Sequence, residues 1–104
     1  MCILAVVILQ ICTQTMCVTQ QFKIENGTFL LNGKPFQIIG GEMHYLRIPH
    51  EYWRDRLLKA KAMGLNTVST YVFWNMHEPV PNEFNFSAYA DVAQFVKTAQ
   101  EVGL

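Results

Sequence analysis

The sequence predicts an α/β fold built on a parallel sheet, and three observations carry that expectation. From residue 36 onward the segments alternate strand, helix, strand, helix. The second strand segment, Asn66 to Trp74, is uncharged, which suits a parallel strand buried on both faces. Each helical segment runs into a glycine, Gly64 and Gly103, the residue that most readily takes the left-handed conformation past a helix end. Parallel strands joined this way cross over right-handed. Two strands and two helices leave sheet edges and apolar helix stripes uncovered, so the pattern asks for more chain than the 104 residues present.

Residues 1–20 differ in composition from the rest. Ile3 to Ile11 is a short apolar run, followed by the polar Thr13-Gln-Thr15. A membrane span needs roughly 20 apolar residues, so the run fits the core of a secretory signal peptide better. Small residues at Thr13, Thr15, Cys17 and Thr19 allow several cleavage points. The three cysteines, Cys2, Cys12 and Cys17, all precede the first charged residue, Lys23. Removal of this segment leaves a chain without thiols or disulfides. Export to a secreted, periplasmic or lysosomal location follows, with no membrane attachment afterwards.

Residues 21–35 read as a β-hairpin. Phe22–Glu25 and Thr28–Leu31 flank Asn26-Gly27, a pair suited to a type I′ turn in which both central residues take positive φ. A second pair, Asn32-Gly33, leads through Lys34-Pro35 to a further strand at Phe36–Ile39. Residues 49–63 read as a helix with Pro49 near its start. Trp53, Leu57 and Ala60 form its apolar stripe, with Leu58 and Ala62 beside it. Asn66–Trp74 is rich in β-branched and aromatic residues and reads as the next strand. Ser87 or Asn85 is suited to cap the last helix. Its stripe is Tyr89, Val92, Phe95/Val96, Ala99 and Val102/Gly103.

Charge is balanced, with eight basic and eight acidic residues. No basic patch points to nucleic acid. In parallel α/β folds, ligands meet the chain where strands end and loops begin. Two polar and aromatic clusters fall there, Gly40–Arg47 and Tyr71–Pro79. Tyr71, Phe73, Trp74 and Asn75 supply flat rings and forked polar groups of the kind a sugar needs, although the same residues also serve simple packing. Glu42 and Glu78 invite a paired-carboxylate reading. The competing reading is that each pairs with a nearby cation, such as Arg47 or a histidine. Glu42, His44, His77 and Glu78 also contain metal-ligand types, but their spacing is no ligand signature, and neither a metal nor a cofactor is expected. Asn26-Gly-Thr28 and Asn85-Phe-Ser87 are glycosylation sequons, which matter only in a eukaryotic host.

From residue 29 onward, short motifs follow one another in order. Phe29-Leu-Leu-Asn-Gly-Lys-Pro-Phe36 is followed by Met43-His-Tyr-x-Arg-x-Pro49 and Tyr52-Trp-Arg-Asp-Arg-Leu-Leu58. Gly64-Leu-Asn66, Thr70-Tyr-Val72 and Trp74-Asn-x-His-Glu-Pro79 complete the set. Together they resemble glycoside hydrolase family 35, over about residues 29–104. The chain differs from many members at Gly41-Glu42 and at Phe73, where a proline is frequent. The resemblance implies the N-terminal part of a (β/α)₈ TIM barrel, its first two βα units, over residues 36–104. It also implies a retaining exo-β-galactosidase whose substrate is a terminal β-galactoside or oligosaccharide.

The family's acid/base and nucleophile are glutamates after the fourth and seventh barrel strands. This chain reaches only the second helix, so it is expected to carry no catalytic residue and to be inactive alone. Tyr71 matches the family tyrosine that contacts galactose. Two alternatives come from other classes: a non-catalytic carbohydrate-binding or interaction fragment, and a metal-dependent barrel hydrolase. N-terminal sequencing of exported protein is expected to find a start just after a cleavage point between residues 15 and 20. A start at Met1 contradicts the signal peptide.

Overall fold

The computed structural model describes residues 20–104; the segment read as a signal peptide lies outside them save for Gln20. The chain divides into two compact units, one ending at Phe36 and the other running Gln37–Leu104.

The first unit is a three-stranded antiparallel sheet in the order β1 (Phe22–Glu25), β2 (Thr28–Leu31), β3 (Lys34–Pro35). Asn26 and Gly27 take φ 50° and 75°, and Asn32 and Gly33 take φ 53° and 76°. Both pairs therefore adopt the mirror-image turn whose twist matches that of the flanking strands. The second turn is reinforced by its own asparagine. Asn32 Oδ1 accepts the Gln21 N–H at 2.9 Å, and the Asn32 N–H donates to the Gln21 carbonyl at 2.8 Å. The expected hairpin thus gains a third strand, because the second Asn-Gly pair reverses the chain as tightly as the first.

In the second unit, β4 (Gly40–Glu42) and β5 (Thr67–Ser69) pair in parallel, in register from Gly40↔Thr67 to Glu42↔Ser69. Between them lie 3₁₀ turns at Tyr45–Arg47 and His50–Tyr52, then α1 (Trp53–Ala62). After β5 come α2 (Trp74–His77), a 3₁₀ turn at Ala88–Ala90 and α3 (Val92–Val102). The unit is a small mixed α/β structure with one parallel strand pair.

Several expected elements move. Phe36–Ile39 forms no strand; the ladder begins at Gly40. The Asn66 side chain takes the place of a neighbouring strand there. Its Oδ1 accepts the Ile39 N–H at 2.8 Å, and its Nδ2 donates to the Gln37 carbonyl at 2.8 Å. The strand expected over Asn66–Trp74 is confined to Thr67–Ser69, and Trp74–His77 turns helical instead. The bond from the Met43 N–H to the Ser69 carbonyl, 2.9 Å, marks the end of the ladder. Beyond it the aromatic residues pack on loops. Their preference for strands reflects packing rather than backbone geometry.

The first helix keeps its stripe but starts later. Trp53, Leu57 and Ala60 are buried, at helical spacing, whereas Pro49 precedes the 3₁₀ turn at His50–Tyr52 and Leu58 is exposed. The Trp53 indole N–H is shared between the carbonyls of Tyr45 and Ile48, both at 3.0 Å, which fixes the chain as it enters the helix. In α3, Phe95 and Thr98 are buried and Val92, Ala99 and Val102 are half-buried, while Val96, and Tyr89 in the 3₁₀ turn before it, are exposed. The expected stripe is thus rotated toward Thr98, whose hydroxyl donates to the Gln94 carbonyl at 2.7 Å. Tyr45, Trp53, Leu57 and Phe95 form the core where α1 meets α3. The Trp53 and Phe95 rings lie edge to face, 5.5 Å apart.

The cap of α3 is Asp91, not Ser87 or Asn85. Its Oδ1 accepts the Gln94 N–H at 2.8 Å, because the 3₁₀ turn at Ala88–Ala90 occupies the place expected for the first helical turn. Asp91→Ala should therefore cost about 0.5–2 kcal/mol in denaturant unfolding. Ser87→Ala should leave α3 nearly unchanged. The reverse order would contradict this capping.

Candidate functional site

The carboxyl ends of β4 and β5 lead into two segments, Glu42–Arg47 and Thr70–Phe86, and the polar and aromatic residues of both sequence clusters come together there. His44 joins the two segments. Its Nδ1 accepts the Tyr71 backbone N–H at 3.4 Å, and its Nε2 faces Glu42 Oε1 at 3.5 Å. Because Nδ1 accepts, the neutral ring carries its proton on Nε2, the nitrogen on the Glu42 side. The ring also stacks on Tyr71, 5.0 Å between centroids and 19° apart, and meets Phe73 edge-on at 5.4 Å.

A second link lies deeper. His77, fully buried, ends α2 and is bonded through both ring nitrogens. Nδ1 lies 2.9 Å from the Asn85 carbonyl, which can only accept, so Nδ1 carries the proton. Nε2 is therefore an acceptor, and the Tyr45 hydroxyl donates to it at 2.5 Å. The Asn85 N–H returns to the His77 carbonyl at 2.7 Å. Burial pushes the Tyr45 hydroxyl above its ordinary ionisation range, opposed in part by the Phe73 backbone amide. The phenol thus stays protonated and able to donate.

Glu78 clamps its own loop. Its Oε2 accepts the Trp74 indole N–H at 2.6 Å, and its Oε1 accepts the Asn82 N–H at 2.9 Å. The cation expected beside it is absent among the described residues; an indole and an amide take that place. Glu42, by contrast, does face a histidine. Both carboxylates are engaged by neighbours, which disfavours the paired-carboxylate reading. The metal reading fares no better. Both His77 nitrogens are occupied, and among the described residues no three His, Cys, Asp or Glu side chains gather. Arg47 forms no ion pair among them either.

What stands open at the strand ends is aromatic. Tyr71 is 63% exposed, and its hydroxyl has no hydrogen-bond partner among the described residues. Trp74, Phe84 and Phe86 form an exposed aromatic group beside it in the chain, with centroids 6.1–6.5 Å apart. Asn75 is exposed next to Trp74. Tyr45 and Asn82 take part here without having been singled out in the sequence, and Asn85, read there as a helix cap and a sequon, takes part as a partner of His77. Tyr45 sits inside the Met43–Pro49 motif, but nothing in the sequence pairs it with His77, 32 residues away. A polar cleft of about 370 Å³, lined by His50, Arg54, Asp91, Gln94 and Glu101 among others, shares none of the strand-end residues.

The profile described as glycosyl hydrolases family 35 matches residues 28–104. The chain is 50% identical over 86 residues to beta-galactosidase 8 of Oryza sativa subsp. japonica, covering 83% of this chain and 13% of that protein. It is 53% identical over 85 residues to a beta-galactosidase of Felis catus, covering 80% and 13%. It is 58% identical over 76 residues to beta-galactosidase-1-like protein 3 of Homo sapiens, covering 73% and 12%. The chain thus spans 12–13% of the length of these curated relatives.

The buried Tyr45 hydroxyl has a pH signature. Its folded-state ionisation lies above the ordinary value of 10.0. Its contribution to stability is therefore complete below pH 10 and is lost as pH rises toward the folded value. Denaturant unfolding above pH 10 should show wild type losing stability more steeply than Tyr45→Phe, with the two curves parallel below that pH. Equal slopes above pH 10 would contradict it.

Proposed function

This chain belongs to glycosyl hydrolases family 35, and from that membership we propose that it supplies the first two βα units of a (β/α)₈-barrel β-galactosidase. The substrate is a β-galactoside, cleaved from its terminal end with retention of configuration. Tyr71 contacts the galactose ring. The protein is exported, its first 15 to 20 residues being removed on the way.

The observation that carries this reading is the position of Tyr71 just past the carboxyl ends of two parallel strands, the face on which barrel enzymes build their sites. Its hydroxyl can donate and accept a hydrogen bond, and its ring offers an apolar surface to sugar C–H groups. The parallel β4–α1–β5 unit is the building block such a barrel repeats. The names of the relatives support the substrate class.

Retaining hydrolysis needs two carboxyl groups about 5–5.5 Å apart, one protonated as the general acid and one ionised as the nucleophile. Glu78 has both oxygens committed to Trp74 and Asn82, and Glu42 is held by His44. Neither is placed to do that work, so the pair comes from other βα units of the barrel. The 104 residues bind and orient the sugar without cleaving it.

Two measurements test this. The 104-residue polypeptide alone should not hydrolyse a chromogenic β-galactoside; measurable turnover would overturn the assignment of the carboxylates. In the complete enzyme, Tyr71→Phe should lower kcat/KM several-fold, the loss of one hydrogen bond worth about 0.5–1.5 kcal/mol. Unchanged kcat/KM with a lowered Tm would make Tyr71 a packing residue instead.

A further inference from the structure

We propose that His44 is a positioning residue for Tyr71: it fixes the direction of the phenol ring at the strand ends. The inference rests on the reading above, in which Tyr71 meets the sugar.

Tyr71 needs such a device. It lies outside regular structure, between β5 and α2. A ring in that setting moves among rotamers, and fixing it only on binding would reduce affinity. His44 restrains it in two ways at once. The near-parallel stack at 5.0 Å covers one face of the phenol. The Nδ1 acceptor ties down the Tyr71 backbone N–H. Phe73 closes the corner, edge-on to both rings at 5.4 Å and 6.4 Å.

His44 is not itself placed to meet a ligand. Its side chain is only 14% exposed, and its Nδ1 is taken up by the Tyr71 N–H. The tautomer follows from the Nδ1 contact itself: an Nδ1–H would set two donors, its own and the Tyr71 N–H, facing each other. The sequence motif His44-Tyr45 therefore does two jobs through adjacent residues. Tyr45 anchors the α2 end of the second segment, and His44 aims its first residues.

The test is a double-mutant cycle in the complete enzyme that carries this chain. His44→Ala should raise KM for a β-galactoside several-fold with a smaller change in kcat, and should raise it no further in a Tyr71→Ala background. His44→Phe, which keeps a flat face for the stack, should recover part of the loss. Equal effects of His44→Ala in both backgrounds would overturn the proposal. If Tyr71→Ala alone leaves KM unchanged, the sugar contact fails, and a second readout then decides the positioning role by itself. A ¹⁹F label on the residue 71 ring should shift and broaden its resonance in His44→Ala. An unaltered resonance would overturn the positioning role.

Discussion

A histidine buried with both ring nitrogens bonded leaves its surroundings little freedom. His77 donates to the Asn85 carbonyl and accepts from the Tyr45 hydroxyl, and loss of either partner would leave a buried polar atom unsatisfied, a cost of about 1–3 kcal/mol. That single ring therefore dictates where three stretches of chain lie. Tyr45 belongs to the turn after β4, His77 ends the helix after β5, and Asn85 belongs to the loop returning toward α3. The Tyr45 ring, fixed in this way, also packs 5.7 Å from Phe95 and 6.4 Å from Trp53. The loops at the strand ends and the helical core below them share one side chain.

The short parallel ladder makes this tie necessary. Three residues from each strand pair, too few to hold long loops in place. Asn66 extends the order backward by imitating a strand edge with its side-chain amide, and His44 extends it forward by meeting Tyr71. Glu78 then shapes the far end of the second loop, gripping Trp74 and Asn82. Polar side chains bonded to backbone groups stand in for the rungs that the sheet lacks.

What the sequence made legible follows from the range of each interaction. The stripe Trp53, Leu57, Ala60 and the Asn-Gly turns are set by neighbours a few residues away, and local periodicity and φ preference reveal them. The strand limits depend on which partner is present. Phe36–Ile39 has strand composition but faces an asparagine side chain, and Tyr71–Trp74 has strand composition but outruns the ladder. Asp91 displaced Ser87 as a cap because a 3₁₀ turn intervened, and no residue pattern separates those two starts. At the site, the bond between Tyr45 and His77 was not legible, because no local pattern pairs residues 32 positions apart. The likeness to family 35 supplied a reaction class that residue types alone left open.

The most direct measurement is a crystal structure of the complete enzyme with galactose bound. The sugar should lie beyond the carboxyl ends of β4 and β5, with a ring hydroxyl about 2.7–3.0 Å from the Tyr71 hydroxyl. The Tyr45–His77 bond should be intact and Glu78 still joined to Trp74 and Asn82. Galactose bound elsewhere, or Tyr71 turned away from it with Glu78 drawn to its anomeric carbon, would contradict the account.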